Sequence, residues 1–133
     1  MPLLRPVVPV AALIGLAGVA LAAMAAHAAP ASAAHGLDIS RLLYTASAFC
    51  LVHAPVLLAL VALSPRLRFA PVAAGLLVAG VLLFCGDLVM RARYGIALFP
   101  MAAPAGGFAL MGGWLVLAIG GLFARSHAVN NPD

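Results

Sequence analysis

The sequence predicts an all-α integral membrane protein: a bundle of four transmembrane helices, antiparallel between neighbours and joined by short loops. Three observations predict it. Of 133 residues, 66% are hydrophobic and 8% charged, and the mean hydropathy is +1.20. A soluble domain carries about a quarter charged residues, and no soluble fold of this length could hide so much apolar surface. The apolar residues also fall into four runs of about 20, the length that crosses about 30 Å of hydrocarbon at about 1.5 Å per residue. Finally, all seven basic residues are Arg, and each stands at the end of an apolar run. They read as interface anchors and topology markers, not as a basic stripe for nucleic acid.

The chain is read as one domain, residues 1–133, with helices at about 7–27, 42–63, 70–91 and 104–124. The first run follows Arg5-Pro6. A signal peptide is the rival reading, since Ala31-Ser32-Ala33 would serve as a cleavage site, but the run exceeds the usual signal core of about 7–15 residues. Gly15, Gly18, Ala22 and Ala26 make a small-residue stripe along it that lets another helix come close. Pro30 and Gly36 break the chain after it. Asp38 or Ser40 can cap the second helix, which carries Tyr44, Thr45, Ser47, Cys50, His53 and Pro55. Ser64-Pro65-Arg66-Leu67-Arg68 is a tight turn, so the second and third helices are antiparallel neighbours. Residues 91–103 form the third loop. In the fourth helix Gly106, Gly113 and Gly120 recur every seventh residue as a close-packing face. Trp114, in mid-span, is expected to pack between helices. Four spans put both ends of the chain on one side. Arg5, Arg66, Arg68 and Arg125 lie on that side, and Arg41, Arg91 and Arg93 on the other. The positive-inside rule then places the termini in the cytoplasm, by a margin of one residue.

Leu83-Phe84-Cys85-Gly86-Asp87-Leu88 resembles a Leu-Phe-Ser-Gly-Ser-Leu motif. Ala103-Pro104-Ala105-Gly106-Gly107-Phe108 with Gly112-Gly113-Trp114 resembles Thr-Pro-Ile-Gly-Gly followed by Gly-Trp. Met24-Ala25-Ala26-His27 resembles Phe-Gly-Ala-His, and His53-Ala54 resembles the Tyr-His-Ala of the next helix. In this order, and over nearly the whole chain, the motifs resemble the YgdD-like family of small inner-membrane proteins, which includes the animal transmembrane protein 256. The resemblance implies a membrane fold in a bacterial inner membrane and no agreed activity. Two departures stand out. Ala48-Phe49-Cys50 replaces a polar Glu-Tyr-Gln, and Asp87 replaces the second Ser of the third-helix motif. His35-Gly36-Leu37 also resembles the family's His-Gly-Leu, but the spacing to His53 favours His27.

Asp87 is the candidate centre. The chain has three acidic residues, and of these Asp38 and Asp133 lie outside the apolar runs. A carboxylate within a span is costly and must face protein, water or a partner charge. Arg91 is four residues on, close enough to pair and reach the interface. The alternative is a proton-active pair with His53 or His27. His53 is the stronger functional candidate, as a mid-membrane imidazole that titrates near neutrality. Its structural alternative is a neutral ring bonded to a carbonyl freed by Pro55. His27 could cap the exposed carbonyls of the first helix, while His35 and His127 should be solvated. Thus His27, His53, Asp87 and Arg91 make up the candidate intramembrane polar cluster.

Cys50 and Cys85 both lie within spans and lack metal-type spacing. Cys-x-x-Cys-His, His-x-x-x-His and nucleotide-binding glycine loops are all missing from the sequence, as is any arranged nucleophile with its base. The expectation is therefore a non-enzymatic protein without cofactor or metal. Its partners would be the lipid bilayer and a membrane-protein partner or further copies of itself, not nucleic acid. The function that fits is an accessory or structural subunit packed against a larger, energy-transducing membrane complex. Two alternatives are a small proton-linked carrier using His53 and Asp87, and a haem- or quinone-associated membrane protein.

Overall fold

The computed structural model describes residues 4–28 and 38–124. Four α-helices follow one another: α1 (Val7–Ala26), α2 (Ile39–Leu63), α3 (Ala70–Tyr94) and α4 (Ala102–Leu122). All four are long and apolar enough to cross a membrane. Helices suit that solvent because each satisfies its own backbone polar groups, which hydrocarbon cannot. Pro30, Gly36 and His35 of the first loop, and Arg125, His127 and Asp133 of the tail, lie outside the described residues.

Local chemistry sets the helix ends. Helix α2 begins at Ile39, three residues before the expected start, because Asp38 caps it. The Asp38 carboxylate accepts the Arg41 backbone N–H at 3.1 Å and the Ser40 hydroxyl at 2.8 Å. Helix α3 runs on to Tyr94, past the expected end at 91, and stops at Gly95, whose φ of 71° lies in the left-handed region that glycine adopts freely. Phe69 and Met101 take similar left-handed angles, 63° and 69°, immediately before α3 and α4. These non-glycine residues turn the chain sharply into the next span.

The helices pack in chain order, α1 on α2, α2 on α3 and α3 on α4. The middle pair is the most covered, and α1 and α4 present the most surface outward. The inward face of α1 is Ala11, Ile14, Gly18, Leu21 and Ala25. This corrects part of the expected stripe. Gly15 and Gly18 face α2, a Cβ on Gly15 lying 3.5 Å from Ala54, whereas Ala22 is half-buried at the margin and Ala26 is exposed. The phase is set where Gly18 meets α2: a Cβ there would lie 2.8 Å from the Leu51 side chain, and the buried Ser47 hydroxyl donates to the Gly18 carbonyl at 2.7 Å.

The α3–α4 contact is closer still. A Cβ on Gly106 would stand 2.5 Å from the backbone nitrogen of Phe84, and one on Gly113 would stand 2.8 Å from the Leu77 side chain. One on Gly120 would collide with the Arg68 carbonyl. Leu110 returns the contact by filling the space over Gly80, where a Cβ would lie 2.7 Å from its side chain. Gly106 faces Phe84, Leu110 faces Gly80 and Gly113 faces Leu77, which is a single antiparallel register. Gly107 and Gly121 have nothing within 4 Å of an added Cβ.

Two predictions follow from this geometry. Gly106→Ala should destabilise the protein by about 1–3 kcal/mol, since the obstacle is backbone and cannot swing aside, whereas Gly107→Ala should be neutral; unfolding in mixed micelles compares them. The second concerns Asp38. The Arg41 N–H, and after it the Ser40 hydroxyl, hold its carboxyl below the ordinary 3.8. A lowered folded-state pKa stabilises above the unfolded value and is lost as pH falls through the folded one. Amide protection in the first turn of α2, relative to intrinsic exchange at each pH, should therefore fall below about pH 4, and Asp38→Ala should remove that pH dependence.

Candidate functional site

Asp87 is completely buried, and both its carboxylate oxygens are engaged. Oδ2 accepts from Arg91 Nε at 2.6 Å, and Oδ1 accepts the backbone N–H of Leu98 at 2.8 Å. The first bond follows from helical spacing, since i and i+4 share a face. The second is tertiary. After Gly95 the chain folds back along α3, and the Leu98 side chain lies over Gly86, 3.6 Å from where a Cβ would be. The Arg91 side chain is 39% exposed, so its far end reaches outward while Nε stays on the carboxylate. Asp87 lies seven residues before Tyr94, about 10 Å into the helix. That is deeper than a helix ending at 91 would make it.

His53 is also buried, and both its ring nitrogens are engaged. Nδ1 donates to the Phe49 carbonyl at 2.7 Å, and Nε2 accepts from Trp114 Nε1 at 3.3 Å. Because the indole N–H can only donate, Nε2 carries the lone pair and the proton sits on Nδ1. Pro55 would free the Leu51 carbonyl, four residues before it, but the ring bonds that of Phe49. Aromatic contacts complete the setting. Phe49 stacks on the imidazole at 5.8 Å, Trp114 meets it edge-on at 6.1 Å, and Phe49 lies 4.5 Å from Phe84. The group joins α2, α3 and α4. Trp114 packs between helices through its nitrogen, yet 43% of the residue is exposed on the outer surface.

The structure thus brings together Asp87 with Arg91, and His53 with Trp114. No hydrogen bond joins the two pairs among the described residues. His27 is exposed at the end of α1, where Nδ1 donates to the Ala23 carbonyl at 2.8 Å, the capping role weighed for it. Sequence reasoning did not find Leu98, Phe49 or Ser47 as polar partners. A backbone N–H from a loop and an i−4 carbonyl leave no residue-type signal. Trp114 was legible as an inward-facing aromatic, but not as a donor to His53. Among the described residues no three His, Cys, Asp or Glu side chains gather to hold a metal ion, and no buried side-chain nitrogen or oxygen lacks a partner.

Four apolar spans whose polar groups are tied to one another define a small multi-pass α-helical membrane protein. The model of the family described as "Protein of unknown function (DUF423)" matches residues 21–107, and the chain belongs to that family. The match takes in His27, His53, Asp87, Arg91 and Gly106, in keeping with the motif resemblance, and ends before Gly113, Trp114 and Gly120. No curated protein and no solved structure matches the chain.

Asp87→Ala should release the loop. The Leu98 amide should exchange at least about tenfold faster, as expected for loss of about 1.4 kcal/mol of protection, while amides at the middle of α2 keep their wild-type rates. In Trp114→Phe the ring remains but its donor is lost. This should cost about 0.6–1.7 kcal/mol, and nitrogen NMR of the wild type should find His53 protonated on Nδ1 alone.

Proposed function

We propose that the protein is a non-enzymatic accessory or structural subunit that packs against a larger, energy-transducing membrane complex in the bacterial inner membrane, with its termini in the cytoplasm. The observation that carries this reading is the outward surface of α1. The helix is held by one face only, against α2, and its other faces present Leu13, Leu16 and Val19 at 60% exposure or more. The outer face of α4 is similar, with Phe108, Met111 and Leu115 equally open. The buried polar residues support the reading from the other side. Asp87 and His53 spend their hydrogen-bonding capacity on a loop and on a helix contact, a structural use of groups that a carrier would need free. The cytoplasmic placement of the termini rests on the Arg asymmetry between the two sides.

Gentle extraction of native membranes into nanodiscs, followed by affinity capture and mass spectrometry, tests the proposal. A defined set of membrane proteins in fixed ratio to this chain is the expected result. That ratio should fall when Leu16 and Val19 are replaced by Trp, and hold when Leu122, at the far end of α4, is replaced. Recovery of the chain alone sinks the subunit reading. Proton flux in reconstituted vesicles, compared between wild type and His53→Ala, then becomes the deciding measurement.

A further inference from the structure

Helices α1 and α3 each pack on α2 and leave a cleft between them. On the opposite side the cleft between α2 and α4 is bridged by Trp114, whose N–H meets His53. The α1–α3 cleft has no such bridge. It holds a groove of about 620 Å³, walled by Leu13 and Ala17 of α1 and by Leu82, Gly86 and Val89 of α3. A second recess of about 370 Å³ continues past Leu82 to Leu4 and Pro6. The walls are apolar and open sideways, where the acyl chains of the bilayer lie.

The groove has a charged mouth. Leu82, Gly86 and Val89 share one face of α3 by their spacing, and Arg93 is the next residue on that face. It is exposed and stands one position before the helix ends at Tyr94. Cα–Cβ bonds lean towards a helix's N-terminus, so its side chain sets out over the groove. Among the described residues its guanidinium makes no hydrogen bond and no ion pair. Arg91, two residues earlier, falls on the other side of the helix and is spent on Asp87. From Arg93 to Leu82 is about 16 Å along α3, half of the about 30 Å of hydrocarbon. The groove is therefore one leaflet deep, with a free cation at the level of the headgroups.

We propose that this groove binds one anionic phospholipid, with an acyl chain between α1 and α3 and the phosphate on the Arg93 guanidinium. A guanidinium matches a phosphate through parallel N–H···O bonds, and basic groups at gaps between spans attract anionic headgroups. A zwitterionic headgroup brings an ammonium of its own towards the same cation, which weakens the match. A second copy of the chain would leave Arg93 unanswered. Asp87 is buried, Asp38 is taken up by Ser40 and the Arg41 N–H, and Asp133 comes after the far end of α4. The bound chain would give α1, otherwise held by α2 alone, a second support. Leu16 and Val19 do not line the groove, so the site stands apart from the partner surface and does not depend on the subunit reading.

Native mass spectrometry of the full chain in detergent tests this. The protein is titrated with dioleoyl-phosphatidylglycerol and, separately, with dioleoyl-phosphatidylcholine, which differ only in headgroup. The first phosphatidylglycerol should bind about fivefold more tightly than the first phosphatidylcholine. Arg93→Gln should erase that preference. Arg66→Gln, which removes the same charge from the turn between α2 and α3 on the other side of the membrane, should keep it. Ala17→Phe, which fills the groove, should weaken both lipids. On the wild type, a phosphatidylglycerol with a diazirine on its acyl chain should label the groove faces of α1 and α3, not the Phe108 to Leu115 face of α4. Equal affinity for the two lipids overturns the proposal, as does an equal loss in Arg93→Gln and Arg66→Gln. So does labelling spread evenly over the four helices, and so does a dimer that forms without lipid and shields the groove from the label.

Discussion

A helix in hydrocarbon gains little by exchanging lipid tails for another apolar helix, so close approach and shared hydrogen bonds must hold the bundle together. Here α4 meets α3 backbone on backbone at Gly106 and Phe84, with Gly113 extending the contact along α3 and Gly120 pressed against the Arg68 carbonyl just before it. Much else depends on this contact. It fixes the antiparallel register of the pair, and that register carries Trp114 to the height at which its N–H meets His53 on α2. It also limits how far the chain between α3 and α4 can travel. The loop turns at Gly95, returns along α3, and delivers the Leu98 N–H to Asp87. A Cβ at position 106 would push α4 outward and strain both hydrogen bonds at once.

The two costly polar residues are accommodated in different ways. Asp87, near the end of α3, takes a cation that reaches the interface and a backbone donor from the loop, so its charge is met from two directions. His53, about 21 Å into α2, has no such route to water. It holds a neutral ring between a carbonyl on its own helix and an indole from α4, where Phe49 and Trp114 enclose it. Ser47 and Cys85 add single bonds to carbonyls of neighbouring helices. Such bonds are worth about 0.6 kcal/mol each in a membrane. They orient the helices more than they stabilise them. The pattern is one of a scaffold whose buried polarity is spent on its own shape, and whose α1 and α4 faces are left for lipid or partner.

The legible part of the site was the part governed by helical periodicity. Asp87 with Arg91 is an i, i+4 pair, and Gly106, Gly113 and Gly120 share a face by their spacing. Both can be read from residue numbers. The α1 stripe was right at Gly15 and Gly18 and wrong at Ala26, because several small residues occur in every turn there, so composition leaves the phase open, and the Ser47 bond to Gly18 selects it. His27 and His53 were joined to Asp87 and Arg91 as titratable groups in or beside the spans, and residue type says nothing of which face of its helix a residue occupies.

By itself, then, the sequence determined the solvent, the number of spans and the close-packing face of α4, because these follow from hydropathy and from repeats along a single helix. Only the tertiary structure decided the partners: Leu98 for Asp87, Trp114 for His53, the Ala46 carbonyl for Cys85. The first joins a helix to the loop that follows it and the other two join segments far apart in the chain, each through one atom on each side. Their meeting depends on the rotation and register of packed helices, which no local run of residues encodes.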